Sequence, residues 1–162
     1  MRLIKNGQVL IDNRLEKKDI LIEANSFYDI TTLKNKSVFE FNKYQLIAII
    51  VNCAFSLELY FKYIYLCIYN ELYKGKNKGN NGHKLLDIYN IIKHYGLENF
   101  IEKYFKKEEI EKILEQMSSA FVDWRYAYEG RKQLIVNYIL LKDFIAYISE
   151  YANNVEKNKY ER

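Results

Sequence analysis

The hydrophobic pattern of the chain is dominated by one long apolar stretch, from Asn42 to Tyr73. Polar residues are sparse in it and, at about 100° per residue, they fall on two narrow stripes, one of which carries Glu58 and Lys62. A helix that is apolar on nearly every side belongs at the centre of a bundle. A charge near the centre of a bilayer costs about 2.5–3.5 kcal/mol, and we therefore interpret the stretch as a core helix rather than a membrane span.

Five further segments have helical character. The clearest runs from Lys107 to Tyr128, where apolar residues recur at three- and four-residue steps. These residues are Ile110, Ile113, Leu114, Met117, Phe121, Trp124 and Tyr128. The other segments are a helix from about Leu15 to Leu33 with Asn13 as its candidate cap, Lys84 to Tyr95 ended by Gly96, a short piece from Leu97 to Phe105, and Leu134 to about Lys157.

The N-terminus has a different pattern. Apolar positions between Arg2 and Ile11 flank the pair Asn6-Gly7, which is the preferred sequence for a two-residue turn and predicts a hairpin. The sequence therefore predicts an all-α fold, an up-and-down bundle of about five helices with a small N-terminal hairpin or extension. We expect one domain, with hairpin and first helix in 1–41, the bundle in 42–157 and a tail in 158–162.

Composition narrows the class of protein. Hydrophobic residues make up 49% of the 162, which argues against disorder, and no proline interrupts the helices. Lys and Arg number 25 against 21 Asp and Glu, and the net charge of +4 permits contact with nucleic acid without requiring it. Because no signal peptide is recognisable between Arg2 and Asp12, we expect a cytoplasmic location and no membrane association.

The two cysteines exclude two kinds of site. Cys53 and Cys67 lie on the same predicted helix, roughly 21 Å apart at the helical rise, and so cannot form a disulfide with each other. Two cysteines and two histidines without clustered spacing give no zinc signature. We expect neither a metal nor another cofactor.

Three short motifs occur in an order that resembles the HEPN family of helical-bundle proteins. The segment Ala54 to Lys62, AFSLELYFK, looks like the family helix A-x-x-LE-x-x-x-K. After a Gly-rich loop, Gly82-His83-Lys84-Leu85 is similar to the GH-x-L start of the next family helix. Late in the chain, FVDWRYAYE, ending at Glu129, contains an RY-x-x-E segment. The resemblance covers roughly residues 43–152.

The resemblance implies a bundle of four or five helices that is usually a homodimer. Active HEPN proteins are metal-independent ribonucleases, often in toxin–antitoxin or antiphage systems, and their signature is an Arg followed after four to six residues by a His. In this chain Arg125 would need that His at position 130, 131 or 132, where Gly130, Arg131 and Lys132 stand. The departure argues against ribonuclease activity by the family's standard mechanism.

Two interpretations of the RY-x-x-E segment remain open. Arg125 and Glu129 are four residues apart near a helix end, and a half-buried Arg beside the apolar face needs a partner, which predicts an ion pair. Alternatively, Arg125, Tyr128, Glu129 and Arg131 line a cleft across a dimer axis, where an Arg fork grips a phosphate and Glu129 acts as a base.

The remaining candidate residues divide into two groups. We expect a structural polar core in which Glu58 and Lys62 pair with each other or reach Arg125. Its other members are His83, which would help to start a helix, Asp123 and Tyr128. Candidate phosphate or RNA contacts are the lysines of the Gly-rich loop and two residues after the RY-x-x-E segment: Lys74, Lys76, Lys78, Lys84, Arg131 and Lys132.

Three functions are compatible with these features. The first is a HEPN-like protein of a prokaryotic conflict or antiphage defence system, acting as an RNA-associated or regulatory dimer without the standard ribonuclease chemistry. The second is a noncatalytic protein-interaction module. The third is a metal-independent ribonuclease that uses Arg125 and Glu129. The expected partners are a second copy of the chain, RNA or a nucleotide, and a partner protein encoded nearby.

Overall fold

The computed structural model describes the backbone of residues 2–5, 8–11, 16–32, 41–75, 84–123 and 135–158, with side chains over 16–32, 41–75, 84–118 and 135–155. The described residues form an all-α bundle, as predicted. Its helices are α1 (Lys17–Thr32), α2 (Lys43–Tyr69), α3 (Leu85–Ile92), α4 (Leu97–Ile101), α5 (Lys107–Asp123) and α6 (Tyr138–Asn158). A 3-10 turn, Lys93–Tyr95, joins α3 to α4, and Gly96 ends it with a φ of 97°.

A small hairpin precedes the bundle. Its strands β1 (Arg2–Lys5) and β2 (Gln8–Ile11) pair antiparallel, with Arg2 opposite Ile11 and Lys5 opposite Gln8. Because Lys5 and Gln8 are partners, two residues separate the strands, as the predicted two-residue turn requires. Asn6 and Gly7 themselves lie outside the described residues.

Asparagines cap helix α2 at both ends, Asn42 before Lys43 and Asn70 after Tyr69. The Asn42 side chain accepts a hydrogen bond from the Gln45 backbone N–H (3.0 Å), and the Gln45 side chain accepts one from the Asn42 N–H (3.1 Å), which completes a capping box. Asn70 adopts the left-handed conformation, with a φ of 56°. Asparagine tolerates that conformation better than most residues, so the helix ends four residues earlier than Tyr73, where the apolar pattern placed its end.

Four helices pack against α2, namely α1, α3, α5 and α6. Its buried residues cover one side: Ile50, Cys53, Ala54, Ser56, Leu57, Tyr60, Phe61, Tyr63, Ile64 and Cys67. Among the described helices, α2 is the one that is long and apolar enough to cross a membrane, and half of its most apolar stretch is buried inside the bundle. The opposite side, with Glu58 and Lys62, is only half-buried, so the helix is less completely enclosed than predicted.

A polar network connects α1, α2 and α6, from the buried Tyr60 outward to the exposed Asn153. The hydroxyl group of the fully buried Tyr60 lies 2.7 Å from Asn25 Oδ1 and 2.9 Å from Ser149 Oγ. Asn25 and Asn153 contact each other through their amide groups (3.3 Å). The Ser56 hydroxyl donates to the Ala24 carbonyl (3.0 Å). Burial raises the pKa of Tyr60, and the network therefore contains a neutral phenol at physiological pH.

The other helices bury the faces that their periodicity predicts. On α5, Ile110, Ile113, Leu114 and Met117 are buried, whereas Phe121, Trp124 and Tyr128 lie outside the described side chains. On α6 the buried residues are Leu141, Phe144, Ile145, Ile148, Tyr151, Ala152 and Val155. Helix α1 begins at Lys17, where the Asp19 carboxylate accepts from the Glu16 N–H (2.8 Å). Asn13, its candidate cap, lies outside the described residues.

Both cysteines are buried, and neither is joined in a disulfide. Burial raises the pKa of Cys53 to about 12, which keeps the thiol protonated at neutral pH and makes it a poor nucleophile.

Candidate functional site

Glu58 and Lys62 form an ion pair on the outer side of α2. Lys62 Nζ contacts Glu58 Oε1 across one helical turn, and the side chains are 26% and 12% exposed, respectively. The order, with Glu N-terminal to Lys, is the favourable one on a helix. Two half-buried, oppositely charged side chains therefore lie within an otherwise apolar helix.

The lysine-rich connection between α2 and α3 is described at its two ends. After Asn70 the chain folds back, so that the Tyr73 ring packs edge-on against Tyr65 with centroids 5.2 Å apart. Lys74 at one end and Lys84 at the other are exposed. Lys76, Lys78 and His83 lie outside the described residues.

The start of α3 receives a hydrogen-bonding partner from α5. The N-cap residue Lys84 makes no side-chain capping bond. Instead the Leu85 N–H donates to Ser118 Oγ (3.0 Å), and the Ser118 hydroxyl donates to the Leu114 carbonyl (2.7 Å). Ser118 therefore supplies a cap from a neighbouring helix for one of the N–H groups that a helix start leaves unpaired.

A second bond joins the same turn of α5 to the residues before α6. Gln116 Nε2 donates to the Ile135 carbonyl (2.9 Å). Ser118 and Gln116 are two residues apart on α5, so Leu85 and Ile135, which follow the two connections along the chain, both bond to one short stretch of α5.

Most candidate residues of the late motif lie outside the described part of the chain. They are Arg125, Tyr128, Glu129, Arg131 and Lys132. Asp123 is the last residue of α5, and only its backbone is described. The ion pair and the shared cleft that the sequence leaves open for Arg125 and Glu129 both stay predictions.

Charge is distributed unevenly between helices and connections. Helices α1, α5 and α6 each contain two lysines, no arginine and at least three acidic residues. Between positions 74 and 84, by contrast, four lysines occur without an acidic residue. Residues 124–134 contain three basic residues and one acidic residue. The net positive charge of the chain therefore comes from the segments between helices and at the termini.

Sequence reasoning missed Ser118 and Gln116. A serine and a glutamine near the end of an amphipathic helix are ordinary surface residues in a hydrophobic pattern, and their partners are 33 and 19 residues away. Within the described ranges, no group of three or more His, Cys, Asp or Glu side chains could hold a metal ion.

Comparisons with protein-family profiles, with curated proteins and with solved structures find no match to this chain. The relation to HEPN proteins therefore stays a prediction that rests on the order and spacing of the three motifs.

Proposed function

We propose that this chain is a HEPN-like, RNA-associated protein that works as a regulatory dimer without the standard ribonuclease chemistry of that family. The place in a prokaryotic conflict or antiphage defence system, the dimeric state and the cytoplasmic location come from the resemblance and from the sequence, and belong to the same proposal.

One observation carries the RNA-associated part of the proposal. The two basic connections, 74–84 and 124–134, border described residues that α5 holds through Ser118 and Gln116. If the basic side chains of both connections lie close together, they can contact one phosphate backbone. Neutralising several phosphates releases counterions, and this release drives binding.

The charge of the helices supports the same assignment. Because α1, α5 and α6 contain more acidic than basic residues, their exposed surfaces favour a polyanion less than the two connections do. An RNA strand would therefore favour the connections over the acidic helices.

The test measures binding and cleavage in the same samples. Purified protein is titrated into fluorescently labelled tRNA at two salt concentrations, and the RNA is then examined on a denaturing gel. The proposal expects binding that weakens steeply with salt and no cleavage. Cleavage that is lost in Arg125→Ala would favour the ribonuclease instead, and absence of binding at low salt would contradict the proposal.

A second candidate, a noncatalytic protein-interaction module, is favoured by a different observation. Ile135 is 71% exposed and Ile139 is 68% exposed at the start of α6, and large exposed apolar side chains often mark protein contacts. If this candidate is right, the wild type should not bind RNA. The double variant Ile135→Ser/Ile139→Ser should lose binding to a partner protein or lose self-association, as measured by sedimentation equilibrium.

A further inference from the structure

The turn between α4 and α5 presents one aromatic side chain to the core and its neighbour to the surface. Phe105 is 6% exposed, and its ring packs edge-on against Phe144 of α6 with centroids 5.5 Å apart. The backbone N–H groups of Tyr104 and Phe105 both donate to the Ile101 carbonyl (2.9 and 3.1 Å). The backbone of Tyr104 is therefore fixed, although its side chain is 55% exposed.

The Tyr104 ring is stacked on Tyr147 of α6. The two ring centroids lie 4.1 Å apart and the ring planes differ by 26°. Phe100 of α4 contacts the same ring in an edge-on arrangement, with centroids 6.4 Å apart. Tyr147 in turn packs against the hydrophobic core, so the pair is anchored to the bundle. One face of the Tyr104 ring is covered, and the opposite face is turned to solvent.

Two other exposed tyrosines lack such an open face. Tyr69 and Tyr95 are each 39% exposed and contact each other edge-on, with centroids 5.6 Å apart. Tyr69 also packs against Tyr65 at 4.5 Å, so this cluster is partly occupied by its own rings. Tyr104 is more exposed than either, and its ring is held in one orientation by a stacked neighbour.

The charges around Tyr104 are mildly positive. Five charged side chains next to it along the chain are exposed: Glu102, Lys103, Lys106, Lys107 and Glu108. Three lysines against two glutamates favour a phosphate backbone, but less strongly than the lysine-rich connection 74–84, which has no acidic residue. An RNA strand at this turn would therefore be held mainly by the ring and only weakly by charge.

We propose that Tyr104, supported by Tyr147, stacks on one base of a single-stranded RNA. This inference rests on the RNA-associated function proposed above and adds a contact that requires an unpaired base. Every base has a π-face that can stack on an aromatic side chain. A ring that is already held in place loses little side-chain freedom when a base is bound. In a duplex the faces of the bases are covered by their neighbours, so this contact is specific for single strands.

The test measures the affinity of Tyr104→Ala and Tyr104→Phe for a labelled oligoadenylate over a range of salt concentrations. Tyr104→Ala should bind about five- to tenfold more weakly, at the lower end of what one stacked base contributes. Tyr104→Phe keeps the ring and should bind like the wild type. Because stacking neutralises no phosphate, the slope of log affinity against log salt should be the same in all three proteins.

Two controls separate stacking from a structural role. Tyr44→Ala removes a tyrosine that is 70% exposed at the start of α2 and should leave the affinity unchanged. The same oligoadenylate paired with oligouridylate should bind equally to the wild type and to Tyr104→Ala, because its base faces are covered. A substitution that disturbed the fold would instead weaken binding to the single strand and to the duplex alike.

The failure of this inference can be distinguished from the failure of the proposed function. A wild type that binds no RNA at low salt overturns both. A wild type that binds, with Tyr104→Ala equal to Tyr44→Ala on the single strand, overturns the inference alone. An equal loss on single strand and duplex also overturns it, as does a loss of self-association in Tyr104→Ala with RNA affinity unchanged. If Tyr104→Ala does not fold, Tyr104→Leu, which covers Tyr147 without offering a ring, replaces it.

Discussion

Removing the Tyr60 hydroxyl tests whether the polar network between α1, α2 and α6 contributes to stability. The hydroxyl group contacts Asn25 Oδ1 at 2.7 Å and Ser149 Oγ at 2.9 Å. A typical hydrogen bond contributes about 0.5–1.5 kcal/mol net. Asn153 Nδ2 lies 3.4 Å from Asn25 Oδ1 and can partly replace the lost donor. We therefore expect Tyr60→Phe to lower the free energy of unfolding by about 1–2 kcal/mol.

Urea unfolding followed by circular dichroism measures this change. The midpoint should fall while the slope of unfolding free energy against urea stays the same, because the surface exposed on unfolding is unchanged. Tyr44→Phe is the matched control, since Tyr44 is 70% exposed and surface substitutions usually stay within about 0.5 kcal/mol. Tyr60→Ala should cost more, about 3–5 kcal/mol, as is typical for removing a large aromatic side chain from a core.

Two results would refute this reasoning. If Tyr60→Phe were as stable as Tyr44→Phe, the three-helix network would not contribute to stability. If the variant changed the slope of the urea transition, the two-state comparison itself would fail.

Three further predictions concern stability and reactivity. Burial raises the pKa of four tyrosines above the ordinary 10.0, namely Tyr28, Tyr60, Tyr89 and Tyr138. Because the folded state therefore keeps these protons to higher pH than the unfolded state does, the free energy of unfolding should fall as the pH rises above 10. An unfolding midpoint that is equal at pH 8 and pH 10.5 would contradict this. Cys53, with a pKa of about 12, should resist alkylation in folded protein and react in denaturant, and rapid labelling at Cys53 under native conditions, located by mass spectrometry, would show the burial to be wrong. Asn42→Ala removes the capping box of α2 and should cost about 1 kcal/mol in thermal or urea unfolding, an effect that an unchanged midpoint would exclude.

The helical fold follows from local patterns in the sequence. The apolar stretch beginning at Asn42 specifies a helix, and the three- and four-residue spacing from Ile110 to Met117 specifies both a helix and the face that it buries. Gly96 ends the α3 segment because it reaches a positive φ without strain. Such signals span only a few residues, so they predict helices well and helix ends less well, as Asn70 illustrates.

The contacts between helices do not follow from those patterns. Tyr60 meets partners that are 35 and 89 residues away, and nothing in the periodicity of α2 distinguishes it from Tyr63 or Tyr65. Ser118 and Gln116 acquire their roles only when α3 and the start of α6 arrive beside α5. Candidate charges such as Lys74 and Lys84 were identified by residue type and loop composition, because exposed basic residues require no particular packing.

Charge reversal in the lysine-rich connection tests the central claim most directly. Lys76→Glu/Lys78→Glu is compared with Lys103→Glu/Lys107→Glu, which reverses the same number of charges at exposed positions in the turn after α4 and at the start of α5. If the connections bind RNA, the first variant should lose affinity for single-stranded RNA and show a salt slope lower by about 0.7 for each phosphate contact removed, while the control changes less. Equal affinities and equal slopes for the two variants would contradict the proposed interface.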